Sequence, residues 1–195
     1  LVGCVASAAR GDATMLQLDA EVRAARLRVA SLEEQLRTCD VSGQPGDIYP
    51  QLVQIFAGTE VSVQRAGVRT VVSIPGDLLF ADGTAEVRRE AAMVVDLLGT
   101  ALTLHPALVA WVIGHTDARP LSGAALARFS NSRGLSLAMA DGLVNALLAE
   151  SQLPSSRFTV AGRGADAPLV PEDTAGAQAQ NRRVVVVVGP PDPFR

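Results

Sequence analysis

Two side chains capable of proton or ligand chemistry, His115 and Asp117, stand either side of Thr116. A histidine and a carboxylate at that spacing form a catalytic or metal-binding pair only when further groups converge on them. The chain has few to offer. Its histidines are His105 and His115, and its cysteines, Cys4 and Cys39, form no CxxC pair. A zinc site, a nucleophile–base constellation and enzymatic activity are not expected, and no cofactor is called for. His115 reads as a structural histidine that hydrogen-bonds the loop. Asp117 either binds a ligand or braces the loop in which it sits, and Thr116 shares both readings. Asn131 either hydrogen-bonds a ligand or shapes its loop. Arg182 and Arg183 precede a run of five valines. One of them is expected to pair with a carboxylate inside the domain, and Asp117 is a candidate partner. Gly162 and Gly164 have the spacing of a phosphate loop, but no helix with a P-loop lysine follows, so they read as turn glycines.

These residues must be held by elements that the hydrophobic pattern marks out. The chain has 195 residues, 48% of them hydrophobic and only 4% aromatic, so the core must come from Leu, Val, Ala and Ile. Glu60–Gln64 and Val68–Ile74 are β-rich and flank Arg65-Ala66-Gly67, which predicts a hairpin. Pro75-Gly76-Asp77 then turns the chain. Ala85 to Thr103 has helical spacing, with Val87, Ala91, Val94, Val95, Leu98 and Ala101 on one face. Leu108 to Ile113 is a predicted strand, with Trp111 in the core. Ser136 to Glu150 is a second helix, N-capped by Ser136. Phe158 to Ala161 is a short strand, and Val184 to Val188 reads as a central strand buried on both faces. The order predicts an α+β fold, an α/β sandwich with helices on one side of a mixed sheet.

The N-terminal part is organised differently. From Met15 to Cys39 apolar residues fall at Leu18, Val22, Ala25, Val29, Leu32, Leu36 and Cys39, an a/d seam sustained for three heptads. A parallel coiled coil over 13–39 is favoured, making the protein a homo-oligomer through residues 15–39 and bringing Cys39 side chains together for an interchain disulfide. A helix packed on its own domain is the alternative. Residues 40–58 read as a linker with a short helix at Tyr49 to Ala57. Leu1-Val2-Gly3-Cys4 resembles a lipobox. In that reading residues 1–12 carry a lipid anchor at Cys4, and Val5 points to the outer membrane. The formal net charge is −3 with no long basic run, which argues against nucleic-acid binding.

Several segments together resemble the OmpA/MotB C-terminal family. Leu79-Phe80-Ala81-Asp82-Gly83-Thr84-Ala85 is similar to its opening "LF-x-x-G-x-A". Gly114-His115-Thr116-Asp117 matches "GHTD", Asn131 and Leu135-Ser136 resemble "N-x-x-LS", Gly162 to Pro168 resembles "GxGxxxP", and Asn181-Arg182-Arg183-Val184 matches "NRRV". Ala118-Arg119-Pro120 and Phe129-Ser130-Asn131 are closer to the MotB and type VI secretion branches than to the outer-membrane porins. The resemblance implies an OmpA-like βαβαββ domain over residues 59–189, followed by a tail at 190–195. It also implies a non-catalytic periplasmic protein that binds the peptidoglycan stem peptide at diaminopimelate and so fixes an envelope assembly to the wall. Diaminopimelate carries an ammonium and a carboxylate on one carbon, so its site needs an anion and a cation. Asp117 is the implied anion, with Thr116, Asn131, Arg133 and Arg183 as further ligand contacts. The family's cation is the arginine of "LS-x-x-RA", and here Met139 stands in that place. The cation would then come from Arg128 or Arg133, or from backbone N–H groups at the helix N-terminus. The alternative implied by Met139 is a scaffold subunit of an envelope machine that has lost wall binding and contacts protein partners.

Overall fold

The computed structural model describes residues 47–191. The lipobox-like segment with Cys4, the heptad region with Cys39 and most of the tail lie outside the described residues. The elements are α1 (Tyr49–Ile55), β1 (Ser62–Ala66), β2 (Arg69–Pro75), α2 (Gly76–Leu79), α3 (Ala92–Leu104), β3 (Val109–His115), α4 (Gly123–Arg128), α5 (Ser132–Glu150), β4 (Phe158–Gly162), α6 (Ala175–Asn181) and β5 (Arg183–Gly189). Short 3-10 turns lie at Arg89–Ala91 and Ser155–Arg157.

The five strands form one sheet in the order β1-β2-β5-β3-β4. β3 and β4 are parallel, and every other neighbouring pair is antiparallel. The chain therefore has the α+β architecture its sequence predicts, a mixed sheet with helices on one face. From β2 onward the major elements run β-α-β-α-β-β, with β1 added as an edge strand through the hairpin at Gly67. Alternate residues of the sheet, Val72, Ile74, Val112, Val184, Val186 and Val188, are fully buried. They join Leu98, Leu102, Leu143 and Leu147 from α3 and α5 in one core.

Four expectations are corrected. The valine strand is central but not buried on both faces: Val185 and Val187 are half-buried. A β-branched run favours a strand whichever way its side chains point, so composition alone could not say that only one face carries helices. Trp111 is likewise half-buried on the other face, where the Arg69 guanidinium lies 4.5 Å from its ring centroid. Arg69 reaches it by crossing Gly189, where a Cβ would stand 2.6 Å from Arg69 Cγ. The first long helix starts at Ala92 rather than Ala85, because Val87 forms an antiparallel bridge with Phe80 and Arg88 N–H donates to the Leu79 carbonyl at 2.8 Å. The second starts at Ser132 rather than Ser136, because Asn131 is the cap: its Oδ1 accepts the Gly134 N–H at 2.8 Å.

Residues 47–58, read from sequence as the end of a linker with a short helix, form that helix as α1 and contribute to the core. Ile48, Leu52 and Phe56 are buried in it. Arg65 in β1 pairs with Asp47 at 2.7 Å and lies 4.3 Å from the Tyr49 ring centroid.

Candidate functional site

Strand register assembles the site. Arg183, the first residue of β5, is paired with Pro75 at the end of β2 and with His115 at the end of β3. Residues just beyond these ends therefore converge: Asp77 after β2, Asp117 after β3 and Arg182 before β5. Arg182 Nε and Nη2 donate to the two oxygens of Asp77 at 2.9 and 2.6 Å, and Nη1 donates to Asp117 Oδ2 at 2.7 Å. A planar fork matched to a carboxylate in this way is a strong, directional contact. The hydrogen bonds that Arg182 donates to Asp77 first, and then to Asp117, hold its proton more firmly than in free arginine, against the opposing effect of burial.

Asp117 is buried and accepts two further bonds from Arg119, its backbone N–H at 3.1 Å and its Nε at 2.8 Å. The next residue, Ala118, donates its N–H to Glu172 at 2.6 Å. Glu172 is held in turn by the buried Asn181, whose side chain also bonds the backbone of Leu169 and Val170. The loop carrying Asp117 is thus fixed from both sides before any ligand arrives.

The N-terminal turn of α5 closes over the same strand ends, and two glycines make this possible. A Cβ on Gly114 would lie 1.9 Å from the Ser136 carbonyl oxygen, and one on Gly162 would lie 2.6 Å from the Arg133 carbonyl oxygen. Ser136 Oγ accepts the Gly164 N–H at 2.8 Å, tying the helix to the loop after β4. Gly114 and Gly162 therefore serve close backbone approach rather than phosphate binding.

An open cavity of about 330 Å³ lies against Asp117. Its polar wall includes Asp77, Asp82, Thr116, Arg119 and Arg182, and its apolar wall includes Phe80, Leu135 and Met139. Thr116 is buried, and its Oγ1 has no hydrogen-bond partner among the described residues.

The sequence-derived site residues are only partly brought together. Asp117, Thr116 and Met139 line the cavity. Asn131 caps α5, and Arg133 pairs with Asp166 on the surface. Arg128 pairs with Glu86 at 2.8 Å, away from the cavity wall. Arg183 is buried beside His115 and donates to the carbonyls of Asn181 and Ala167, both at 3.1 Å. The arginine that pairs with Asp117 across the strand ends is Arg182. Sequence reasoning gave no binding role to Asp77, Asp82 or Arg119. Asp82 lies inside the "LF-x-x-G-x-A" segment and Arg119 lies two residues past Asp117, so their proximity was the available signal. Asp77 and Arg182 are 105 residues apart, and only the sheet register unites them.

Known proteins resemble this chain in sequence and fold. The chain is 32% identical over 133 residues to the probable lipoprotein YiaD of Escherichia coli (strain K12), a match covering 68% of this chain and 57% of YiaD. Its fold is similar to the cell wall anchor of the T6SS from Pseudomonas aeruginosa, with a TM-score of 0.66 and 32% identity, covering 73% of this chain and 99% of that one. A MotB-like protein from Desulfovibrio vulgaris superposes with a TM-score of 0.68 at 24% identity, covering 74% and 92% of the two chains. Residues 79–182, which include β3, β4, α5 and most of the cavity wall, match the OmpA family, and the chain belongs to that family.

Proposed function

We propose that this chain is a non-catalytic peptidoglycan-binding protein of the bacterial periplasm, and that its cavity takes the diaminopimelate end of a stem peptide. One observation carries the reading: Asp117 is fixed beside an open cavity at the strand ends, between two arginines and next to Thr116. Among the described residues Asp117 Oδ1 accepts only the Arg119 N–H, which leaves acceptor capacity for an ammonium group. The buried Thr116 hydroxyl offers a second polar contact. The relatives support the same reading, since one is a cell wall anchor and another a probable lipoprotein. Lipidation at Cys4 and self-association through residues 15–39 would tether this domain to a membrane and multiply its hold on the wall. The whole protein would then anchor an outer-membrane, motor or secretion assembly.

A second reading rests on Met139. It lines the cavity where a carboxylate-binding arginine would serve, and its thioether cannot replace a guanidinium. In this version the domain is a scaffold that contacts other envelope proteins and has given up the wall.

Co-sedimentation with purified sacculi separates the two. Wild type is expected to pellet with sacculi, and Asp117→Asn is expected to stay in the supernatant. Wild type that stays soluble beside a Met139→Arg variant that pellets would instead establish the scaffold reading.

A further inference from the structure

We propose that Arg119 is the carboxylate-recognising residue of the cavity, so that the site reads an ammonium and a carboxylate carried on one carbon rather than a lone cation. The inference rests on the wall-binding reading and supplies its missing cation.

Two guanidinium groups line the cavity, and their surroundings differ. Arg182 is 20% exposed and directs three bonds at Asp77 and Asp117, so its fork is committed to holding the strand ends together. Arg119 is 47% exposed. Its Nε is fixed to Asp117 at 2.8 Å, while its Nη2 contact with Asp82 is long, at 3.4 Å. Asp82 is itself 76% exposed, so this outer ion pair contributes little and exchanges readily. Two of the five Arg119 side-chain donors are engaged among the described residues, and the others belong to the terminal nitrogens.

Arg119 is also held in place. Its backbone N–H bonds Asp117, and Pro120 follows it, which confines its backbone to extended conformations. A guanidinium anchored at Nε and open at its far edge can meet a carboxylate with two parallel bonds. An incoming carboxylate would displace Asp82 from Arg119, and Asp82 would turn to the ligand's ammonium. This exchanges one surface ion pair for two and moves no net charge into the cavity beyond that of the ligand. Arg128 and Arg133 do not compete for the role, since neither is among the residues that line the cavity.

The test uses the full 195-residue chain and calorimetry with two probes. One is a stem tripeptide ending in diaminopimelate with its side-chain carboxylate free, and the other is the same peptide with that carboxylate as an amide. Wild type is expected to prefer the free carboxylate by roughly ten- to hundred-fold, the scale of a charge-assisted contact. Arg119→Gln is expected to lose that preference while still binding the amide, because Arg182 and the backbone N–H of residue 119 continue to hold Asp117. An Arg119→Gln variant that keeps the preference, or that loses both peptides equally, overturns the proposal. Wild type that binds both peptides alike overturns it too, yet leaves wall binding standing. Binding of neither peptide overturns both.

Discussion

At the scale of single residues, the GHTD segment divides its duties between neighbours that face different surroundings. Asp117 and Thr116 line the cavity, whereas His115 is buried beneath Arg183. Burial first, then the positive charges of Arg183 and Arg163, lower the His115 pKa to about 4, and a backbone hydrogen bond at Ala167 works the other way. In the unfolded chain the same imidazole takes a proton near pH ~6.5. Between these values the unfolded state binds more protons than the folded one, so stability rises with pH across that window. His115 thus contributes stability that is fully present above about pH 6.5 and is lost as pH falls towards about 4. The contribution is at most about 3 kcal/mol. Urea unfolding followed across this window should show a shallower pH slope for His115→Asn than for wild type. Equal slopes would assign the acid sensitivity to the carboxylates.

At the scale of elements, the buried Arg157 shows how the chain ends a helix that lacks the usual devices. α3 has no basic residue in its last turn. Arg157, from the turn before β4, supplies one from a distance. Its Nη1, Nη2 and Nε donate to the carbonyls of Leu102, His105 and Leu108 at 2.9, 2.8 and 2.8 Å. These are carbonyls of the helix end and of the bend into β3; Leu102 and His105 also accept backbone N–H groups at 3.3 and 3.1 Å, so the guanidinium adds a second, charge-assisted bond to each. Arg157→Leu keeps much of the volume but removes three charge-assisted bonds, so a loss of roughly 3 kcal/mol is expected in chemical denaturation. A loss below about 1 kcal/mol would mean that water replaces the guanidinium.

The same scale shows what the sequence could and could not reveal. The hairpin, the two long helices and the central valine strand are legible because their periodicities are long and uninterrupted. The start of α5 was placed four residues late because Ser132-Arg133-Gly134 has no apolar period, although Asn131 carries the cap chemistry. Along α5, Ala140, Leu143, Val144 and Leu147 are buried as their spacing implies. Leu137 is exposed, and Leu135 and Met139 are buried. α4 and α6, of 6 and 7 residues, are too short for a period to emerge. In the site, Asp117 and Thr116 were legible from their motif. Of the Asp77–Arg182–Asp117 bridge, the pairing of Asp117 with one of two adjacent arginines was legible, but Asp77 was not, because it joins only through the register of the strands.

At the scale of the whole molecule, the question is where the folded unit begins. The family match starts at residue 79, and sequence periodicity put the domain boundary at 59. The core says otherwise. Ile48, Leu52 and Phe56 are 2%, 0% and 3% exposed. Their helix is clasped by the Asp47–Arg65 pair and by a 2.9 Å contact between Gln51 and His105. Removing α1 would uncover the flank of α3 and the inner side of β1, on which those three side chains rest. The cavity proposed for ligand lies at the opposite end of β3 from His105, so the loss should register in stability before it registers in wall binding. A fragment starting at residue 47 is expected to unfold in urea like the full chain. A fragment starting at residue 59 should be weaker by about 3 kcal/mol or more, the scale of one large-to-small change in a packed core. Equal midpoints for the two fragments would return residues 47–58 to the status of a linker. A weaker second fragment that still pellets with sacculi would show that α1 supports the fold without contributing to the wall-binding surface.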